Sequence, residues 1–448
     1  MKRTATLVVL LLFCGLPNAW AQLAGTYTIG GTSPDYATFA AAAADLDANG
    51  VSGAVVFNVR TGTYTEQLTL GAVTGTSATN TITFQSESGT ASDVTLQFTP
   101  TSSSDNWTVQ LTDTDHVIIQ NMTLLSGGSA TSNRRVVELE GTLDGLSFLG
   151  NTLEGRAVAF AASGAELIYA DFNSRTTGLT ISGNTFVNGG YGVYLLGSTS
   201  NRSTGTVIAN NAFTGTTGIN IDLTAHDGAS MTGNTLAASS RVIELNTMDV
   251  ATLQQNTFTG ASTSTTGLFM SSVTGAYRIE RNRFQNVSGT AMQISNSSAT
   301  SGSEALIANN VVTLGDGFSG TGIYLTGSTD HVQVLHNTLV SAAQSTGAYL
   351  MRAESSGSSV VLRNNIFAHY GTGVPLSIGG TLPSVSDFNA VFAAGSVVAR
   401  VNNVNYSFFS DYQAATSLDL QSQNVDPAFT DRDGADNTAG TDDDNLIP

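Results

Sequence analysis

Acidic and aromatic residues that recur at similar spacings are the first candidates for chemistry in this sequence. They stand in the middle of apolar-x-apolar triplets such as Val193-Tyr194-Leu195 and Ile323-Tyr324-Leu325. If the apolar flanks of a strand face a core, the middle residue faces outward. The outward stripe predicted in this way contains Gln110, Glu138, Tyr169, Tyr194, Asn220, Glu244, Phe269, Gln293, Tyr324 and Tyr349.

Such a stripe suits carbohydrate, because aromatic faces stack on the C–H surfaces of sugars and polar side chains bind hydroxyls. An alternative is that the aromatic rings pack under loops and the acids keep the surface soluble. An error of one residue in the strand register would also turn the whole stripe inward. The predicted carbohydrate-binding residues are Glu138, Tyr169, Tyr194, Asn220, Glu244, Phe269, Tyr324 and Tyr349.

Carboxylates two residues further along the strands offer a catalytic alternative. Glu140 and Asp171 are expected on adjacent rungs, roughly 5 Å apart, which suits a shared cation or a retaining pair of carboxylates. Asp171 and Asp222 are expected two rungs apart, at or beyond the upper limit for an inverting pair. If the protein is an enzyme, Glu140, Asp171 and Asp222 are therefore the predicted catalytic residues.

A third cluster of carboxylates lies near the end of the sequence. Asp431, Asp433 and Asp436 surround Gly434, which permits a tight turn, and calcium prefers such oxygen-rich loops. The spacing differs from that of an EF-hand, and a solvated acidic tail is the alternative. Similar sequences continue past such a loop, so we also expect the natural sequence to extend beyond Pro448.

Composition excludes several classes of function. Residues 1–21 have the pattern of a secretory signal peptide, which predicts a secreted or cell-surface protein. The only lysine, Lys2, and the only cysteine, Cys14, lie within it. Its removal excludes Schiff-base lysines, thiol nucleophiles and disulfides. A net charge of −18 argues against nucleic acid, and no later apolar stretch is long enough to span a membrane.

A repeated phrase, apolar-x-x-Asn-x-apolar, indicates which elements position these residues. Short alternating segments rich in Thr, Val and Ile separate its copies, and Gly, Asn and Ser interrupt them. A period of 22–33 residues with short strands predicts a parallel β-solenoid, in which stacked asparagines form a buried hydrogen-bonded ladder. The aligned asparagines are Asn121, Asn151, Asn184, Asn211, Asn234, Asn256, Asn282, Asn310, Asn337, Asn365 and, weakly, Asn389.

These motifs resemble those of the right-handed parallel β-helix, or pectate-lyase-like, superfamily of secreted bacterial proteins. Tyr36–Asp47 resembles its amphipathic capping helix, Val55–Val59 its first strand, and Gly62–Glu66 its G-x-Y-x-E turn. The resemblance implies an all-β, right-handed parallel β-helix at 51–400, after an N-terminal cap at 22–50 and before a closing segment at 401–448. It does not fix an activity, because the superfamily includes lyases, hydrolases, esterases and adhesins.

Three functional hypotheses remain open from the sequence. The first is a non-catalytic protein, expected to be a monomer, that binds a polysaccharide or cell-surface glycan along the outward stripe. The second is a polysaccharide lyase or glycoside hydrolase that uses the face carboxylates, with Ca²⁺ as the expected cofactor. The third is a purely structural extracellular solenoid.

Overall fold

The chain forms a parallel β-solenoid, seen here in a computed structural model that describes residues 22–127, 133–157, 163–238, 241–260, 265–315, 319–432 and 446. Each coil passes in turn through three long sheets, which we name A, B and C. Among the described residues, no helix is long and apolar enough to cross a membrane.

Sheet A has fourteen strands, and all of its pairings are parallel. Its strands are Leu23–Ile29, Val51–Val59, Ile82–Ser86, Val117–Gln120, Ser147–Leu149, Thr180–Ser182, Val207–Ala209, Ala229–Thr232, Ala251–Gln254, Arg278–Glu280, Ala305–Ala308, Val332–Leu335, Val360–Arg363 and Val385–Asp387.

Sheet B has thirteen parallel strands. Phenylalanines at matching inward positions stack from coil to coil, with ring centroids 4.4 Å apart for Phe186 and Phe213 and 4.2 Å for Phe258 and Phe284. The strands are Gly62–Thr65, Val94–Phe98, Thr123–Ser126, Thr152–Glu154, Thr185–Val187, Ala212–Thr214, Thr235–Ala238, Thr257–Gly260, Arg283–Val287, Val311–Leu314, Thr338–Ser341, Ile366–His369 and Ala390–Ala393.

Sheet C has fourteen strands, of which only the last pairs antiparallel. Its strands are Leu68–Leu70, Val109–Thr112, Val137–Glu140, Glu166–Ala170, Tyr191–Leu196, Ile221–Thr224, Arg241–Asn246, Thr266–Ser271, Thr290–Ser295, Thr321–Gly327, Tyr349–Ser355, Val374–Ile378, Ala399–Val401 and Val404–Tyr406. A short fourth sheet lies between C and A and contains Thr142–Asp144, Arg175–Thr177, Ser203–Thr204 and His226–Asp227.

The asparagine ladder lies at the turn between sheets A and B and is confirmed from Asn151 onward. Asn234 is typical: its backbone N–H and its Nδ2 both donate to Oδ1 of Asn256, at 3.0 and 2.9 Å. Its Nδ2 also donates to the carbonyl of Ile208 in the previous coil, at 2.9 Å. Every amide of the ladder thus bonds across coils, which satisfies polar groups that are almost fully buried.

Asn121 is an exception to the predicted ladder. It has a left-handed backbone (φ 53°), like Gly150 at the matching position of the next coil (φ 63°). Met122 therefore occupies the ladder position, and its backbone N–H donates to Oδ1 of Asn151 at 3.0 Å. The sequence alignment was one residue out at this coil.

The N-terminal end is closed by an α-helix at Phe39–Asn49, two to three residues later than predicted. Thr38 accepts a hydrogen bond from the backbone N–H of Ala41, and the carboxylate of Glu66 accepts from those of Phe39 and Ala40. These bonds satisfy free N–H groups of the first turn. The strand Leu23–Ile29, which the sequence did not predict, precedes this helix and pairs with Val51–Val59.

The other end is closed by a second α-helix, Phe409–Thr416, which the sequence also did not predict. Its buried Tyr412 donates to the carboxylate of Asp419 at 2.7 Å. Asp419 is fully buried and also accepts from Nδ2 of Asn389, the last ladder residue, at 2.9 Å. The described residues contain two further short helices, which are 3₁₀ turns at Ala91–Asp93 and Ser103–Asp105.

Candidate functional site

The outward face of sheet C carries most of the residues that the sequence singled out. Backbone pairing aligns one central column of outward residues along this face, and we call it the central column. It contains Thr69, Gln110, Glu138, Tyr169, Tyr194, Asp222, Glu244, Phe269, Gln293, Tyr324, Arg352, Ser377 and Arg400.

Two predicted members of the stripe do not belong to the central column. Asn220 lies two residues before Asp222 and is fully buried, with Nδ2 donating to the carbonyl of Ala237 at 3.2 Å. Tyr349 is half-buried beside the column, three residues before Arg352. The prediction was wrong at these positions because these stretches contain more than one apolar-x-apolar triplet, and only pairing with the previous coil selects the right one.

The three predicted catalytic carboxylates are not brought together as one group. Asp222 lies in the central column rather than in the neighbouring one. Asp171 follows the last residue of its strand and accepts hydrogen bonds from the backbone N–H groups of Asn173 and Ser174, both at 3.0 Å. Burial raises the pKa of Asp171, but its bonds from Ser174 and Asn173 outweigh burial and leave the pKa below its ordinary value. Its environment is that of a turn-stabilising carboxylate.

Glu138 and Glu140 share one strand and are linked by Gln110 on the previous rung. Nε2 of Gln110 lies 3.3 Å from a carboxylate oxygen of each, and Thr112 donates to Glu140, also at 3.3 Å. Burial raises the pKa of Glu138, although the positive charge of Arg135 opposes this. These acids are therefore already engaged with protein donors.

An arginine three residues before a glutamate occurs twice in sheet C and was missed by the sequence analysis. Arg135 donates to Glu138, and its Nε donates to Glu166 at 3.1 Å. Its guanidinium carbon lies 3.6 Å from the ring centroid of Tyr169 on the next rung.

The second copy repeats this arrangement four coils later on the same face of sheet C. Arg241 donates to Glu244 at 2.5 Å and lies 4.2 Å from the ring centroid of Phe269 on the next rung. The phrases Arg135-Val136-Val137-Glu138 and Arg241-Val242-Ile243-Glu244 are nearly identical, so a direct comparison would have found them. Both copies hold an acid by an ion pair and cover one side of an aromatic ring.

Three tyrosines form an aromatic cluster near the middle of the face. The rings of Tyr169 and Tyr194 stack with centroids 6.0 Å apart and an interplanar angle of 20°. Tyr191 lies 4.8 Å from Tyr194, and all three rings are half-buried. Burial, with the nearby charge of Asp222, raises the pKa of Tyr194 to about 12.

Asp222 differs from the other acids of the face. It is 7% exposed, and its Oδ1 has no hydrogen-bond partner among the described residues. Burial raises its pKa to about 7, helped by the charge of Glu244 and opposed by that of Arg241. Its column neighbours are Tyr194 and Glu244. A carboxyl group that is partly protonated at neutral pH, beside an ionic pair, is suited to proton transfer.

A pocket of about 410 Å³ opens further along the same face, towards the C-terminus. Arg352, Ser377 and Arg400 line it and occupy consecutive rungs of the central column. Nη1 of Arg400 donates to the hydroxyl of Tyr349 at 2.8 Å. Nε of Arg352 donates to Glu354 at 2.8 Å. The predicted residue Tyr349 thus belongs to this pocket.

The predicted calcium residues are only partly described. Asp431 is exposed, whereas Asp433 and Asp436 lie outside the described residues. Within the parts of the chain that the structure does describe, no group of three or more His, Asp or Glu side chains could hold a metal ion. A calcium site at this segment stays a prediction.

Comparisons with known proteins agree with this geometry. A search of curated proteins finds no match. The family model described as "Right handed beta helix region" matches residues 166–339 and 217–389, which together make up half of the chain.

Two solved structures illustrate the shared fold. The Dettilon tailspike protein is 13% identical with a TM-score of 0.50 over 74% of this chain, which spans 63% of the tailspike's length. The lacto-N-biosidase of glycoside hydrolase family 136 from Eubacterium ramulus is 11% identical, with a TM-score of 0.50 over 85% of this chain and 68% of its own. At such low identity these likenesses support the fold alone. From the family match and the solenoid geometry together, the chain belongs to the right-handed β-helix family.

Proposed function

We propose that the protein binds polysaccharide along the outward face of sheet C. The observation that carries this proposal is the cluster of Tyr169, Tyr191 and Tyr194, whose half-buried rings lie beside carboxylates on consecutive rungs. Aromatic rings offer apolar faces to the C–H surface of a sugar, and fixed polar groups beside them set the orientation of its hydroxyls.

The repetitive backbone supports a linear ligand. Parallel strands place successive column residues roughly 4.8 Å apart, so equivalent groups recur at a constant interval along the face. A chain of similar sugar units is a ligand with matching repetition. Secretion, which the pattern of residues 1–21 predicts, would bring the protein to extracellular glycans and belongs to the same proposal.

Truncation of one central ring tests the binding proposal. We expect Tyr194→Ala to weaken binding of the best glycan in a panel of neutral and acidic polysaccharides about tenfold, as for a buried aromatic contact. Isothermal titration calorimetry on the full chain measures this. Phe408→Ala is the matched control, because Phe408 is 69% exposed and lies beside the C-terminal helix rather than in sheet C.

Two results would contradict the proposal. If no glycan of the panel binds, a structural solenoid is the better description. If Tyr194→Ala binds as tightly as the wild type while folding normally by circular dichroism, the tyrosine cluster is not the binding surface.

A second candidate function, hydrolysis of a glycosidic bond, is favoured by Asp222, which is buried and whose Oδ1 has no hydrogen-bond partner among the described residues. In this reaction Asp222 gives its proton to the glycosidic oxygen as the bond to the leaving sugar breaks. Glu244 attacks the anomeric carbon and forms a glycosyl ester. Water then cleaves the ester while Asp222 takes the proton from that water. Adjacent rungs give a spacing that suits such a retaining pair.

This candidate is tested by product formation. Incubation with the same panel should release new reducing ends, and Asp222→Asn should abolish release while binding persists. An ultraviolet signal from unsaturated uronates would instead indicate a lyase. Absence of any product with a glycan that binds tightly would leave the non-catalytic function.

A further inference from the structure

The pocket near the C-terminal end of sheet C is built around a gap in the central column. Arg352 and Arg400 stand on rungs that flank Ser377, whose side chain is short and 5% exposed. Two rungs correspond to roughly 10 Å between the backbones of the arginines. A small residue between two long ones leaves the open volume of about 410 Å³ that both arginines line.

The charges in this pocket do not cancel. Arg352 is paired with Glu354, which also accepts a hydrogen bond from the hydroxyl of Tyr324 at 3.1 Å. Arg400 has no carboxylate partner among the described residues, and its buried Nε has no hydrogen-bond acceptor there. A buried guanidinium donor without an acceptor carries a free-energy cost, which a bound anion would relieve.

This positive pocket stands out against the rest of the chain, which has 34 acidic and 16 basic residues and a net charge of −18. Tyr349 holds the guanidinium of Arg400 from one side through its hydroxyl. The arginine is thus oriented by a neutral group that leaves its charge uncompensated.

We propose that the pocket between Arg352 and Arg400 binds the carboxylate of a uronic acid residue of a polysaccharide. The guanidinium of Arg400 forms charge-assisted hydrogen bonds to the carboxylate oxygens. Ser377 and Asn402 also line the pocket. The hydroxyl of Ser377 and Nδ2 of Asn402 can bind hydroxyls of the same sugar, whereas Oδ1 of Asn402 already accepts from the backbone N–H of Gly380 at 3.0 Å. The pocket volume is in the range of small-molecule sites and is sufficient for one sugar ring.

The position of the pocket links this inference to the proposed function, on which it rests for the identity of the ligand as a glycan. Arg352 is the column residue directly after Tyr324, so a glycan that follows the face reaches the pocket without leaving sheet C. The pocket would make the face selective for acidic over neutral glycans.

The test compares one ligand in two charge states. Oligogalacturonate and its fully methyl-esterified form have the same sugar backbone but differ in charge. By titration calorimetry with the full chain, we expect the free acid to bind at least tenfold more tightly. We expect this preference to fall as salt is raised, since the interaction is ionic.

Removal of one charge locates the site. Arg400→Gln should weaken binding of the free acid roughly tenfold or more and leave the ester unaffected. Arg278→Gln is the matched control, because it removes the same charge from sheet A, where Arg278 is paired with Glu280 at 3.7 Å. Equal affinities of acid and ester, or an unchanged acid affinity in Arg400→Gln, would overturn the inference.

The two proposals fail separately. If Tyr194→Ala has no effect but Arg400→Gln abolishes binding of the free acid, the pocket stands and the tyrosine cluster fails. If Tyr194→Ala weakens both forms equally and Arg400→Gln weakens neither, the glycan face stands and the pocket fails. Inorganic sulfate that displaces the oligouronate at equal concentration would show a simple anion site and overturn the assignment to a sugar.

Discussion

The asparagine ladder, at the turn between sheets A and B, and the central column, on the outward face of sheet C, both run along the axis of the solenoid, but they differ in how far their polar groups are hydrogen-bonded. In the ladder, each buried amide has partners on both neighbouring coils. In the column, Oδ1 of Asp222 and Nε of Arg400 are buried without a partner among the described residues. Repetition alone therefore does not indicate function; an unsatisfied group within a repeated framework does, because folding gains nothing from it.

The largest effect should come from breaking the ladder. Asn256→Ala removes the acceptor of two bonds from Asn234 and the donor to the carbonyl of Met231, all within a buried site. We expect a loss of about 4 kcal/mol in the free energy of unfolding, since several buried groups lose their partners. Urea denaturation measures this loss.

The control for the ladder variant is Asn201→Ala, in an exposed turn. It should change the free energy of unfolding by less than about 0.5 kcal/mol. Similar losses for both variants would mean that the ladder contributes no more than a surface amide.

A substitution in the central column should instead increase the free energy of unfolding. The pKa of Asp222 in the folded protein, about 7, is above its ordinary value of 3.8. Stability from the neutral acid is therefore fully present below about pH 4 and is lost as the pH rises through 7. At pH 8 we expect Asp222→Asn to be more stable than the wild type by up to about 4 kcal/mol, with almost no gain near pH 4.

Urea denaturation at both pH values checks this prediction. If the difference in unfolding free energy between Asp222→Asn and the wild type is the same at pH 4 and pH 8, ionisation of Asp222 costs the folded protein little free energy. Its burial would then say nothing about function.

The smallest effect is expected at the ion pair beside Asp222. Arg241 is 40% exposed, so loss of its bond to Glu244 in Arg241→Gln should change stability by no more than about 1 kcal/mol. Its positive charge lowers the pKa of Asp222, so the same variant should raise that pKa above about 7. Carboxyl titration by NMR measures it, and an unchanged pKa would contradict the assigned charge coupling.

Much of the fold could be predicted from the sequence because one residue type in one conformation is needed at every coil. The ladder position from Asn151 onward selects asparagine, and the interval between copies equals the length of a coil. Asn121 instead occupies the left-handed turn position just before the ladder position, so the predicted alignment is wrong by one residue at this coil.

The face of sheet C was less predictable because alternation is interrupted there. In Arg241–Asn246, two buried residues, Val242 and Ile243, stand side by side before Glu244. The strand period of two therefore fails within the strand, and counting from the wrong triplet selects Asn220 or Tyr349 in place of Asp222 or Arg352. The N-terminal strand Leu23–Ile29 and the second helix Phe409–Thr416 were not predicted for another reason. Each occurs only once, so no sequence repeat indicates it.

The ladder also gives the solenoid a direction. From Asn151 to Asn389, each amide donates towards the next coil, so the row of dipoles points one way along the axis, as peptide dipoles do in an α-helix. Its donor end meets the buried carboxylate of Asp419. Because each coil presents the same acceptor to the coil before it and the same donors to the coil after it, a whole coil could be inserted or removed without leaving a bond of the ladder unmade. The length of this protein is thus adjustable in units of one coil, whereas its two ends are not interchangeable.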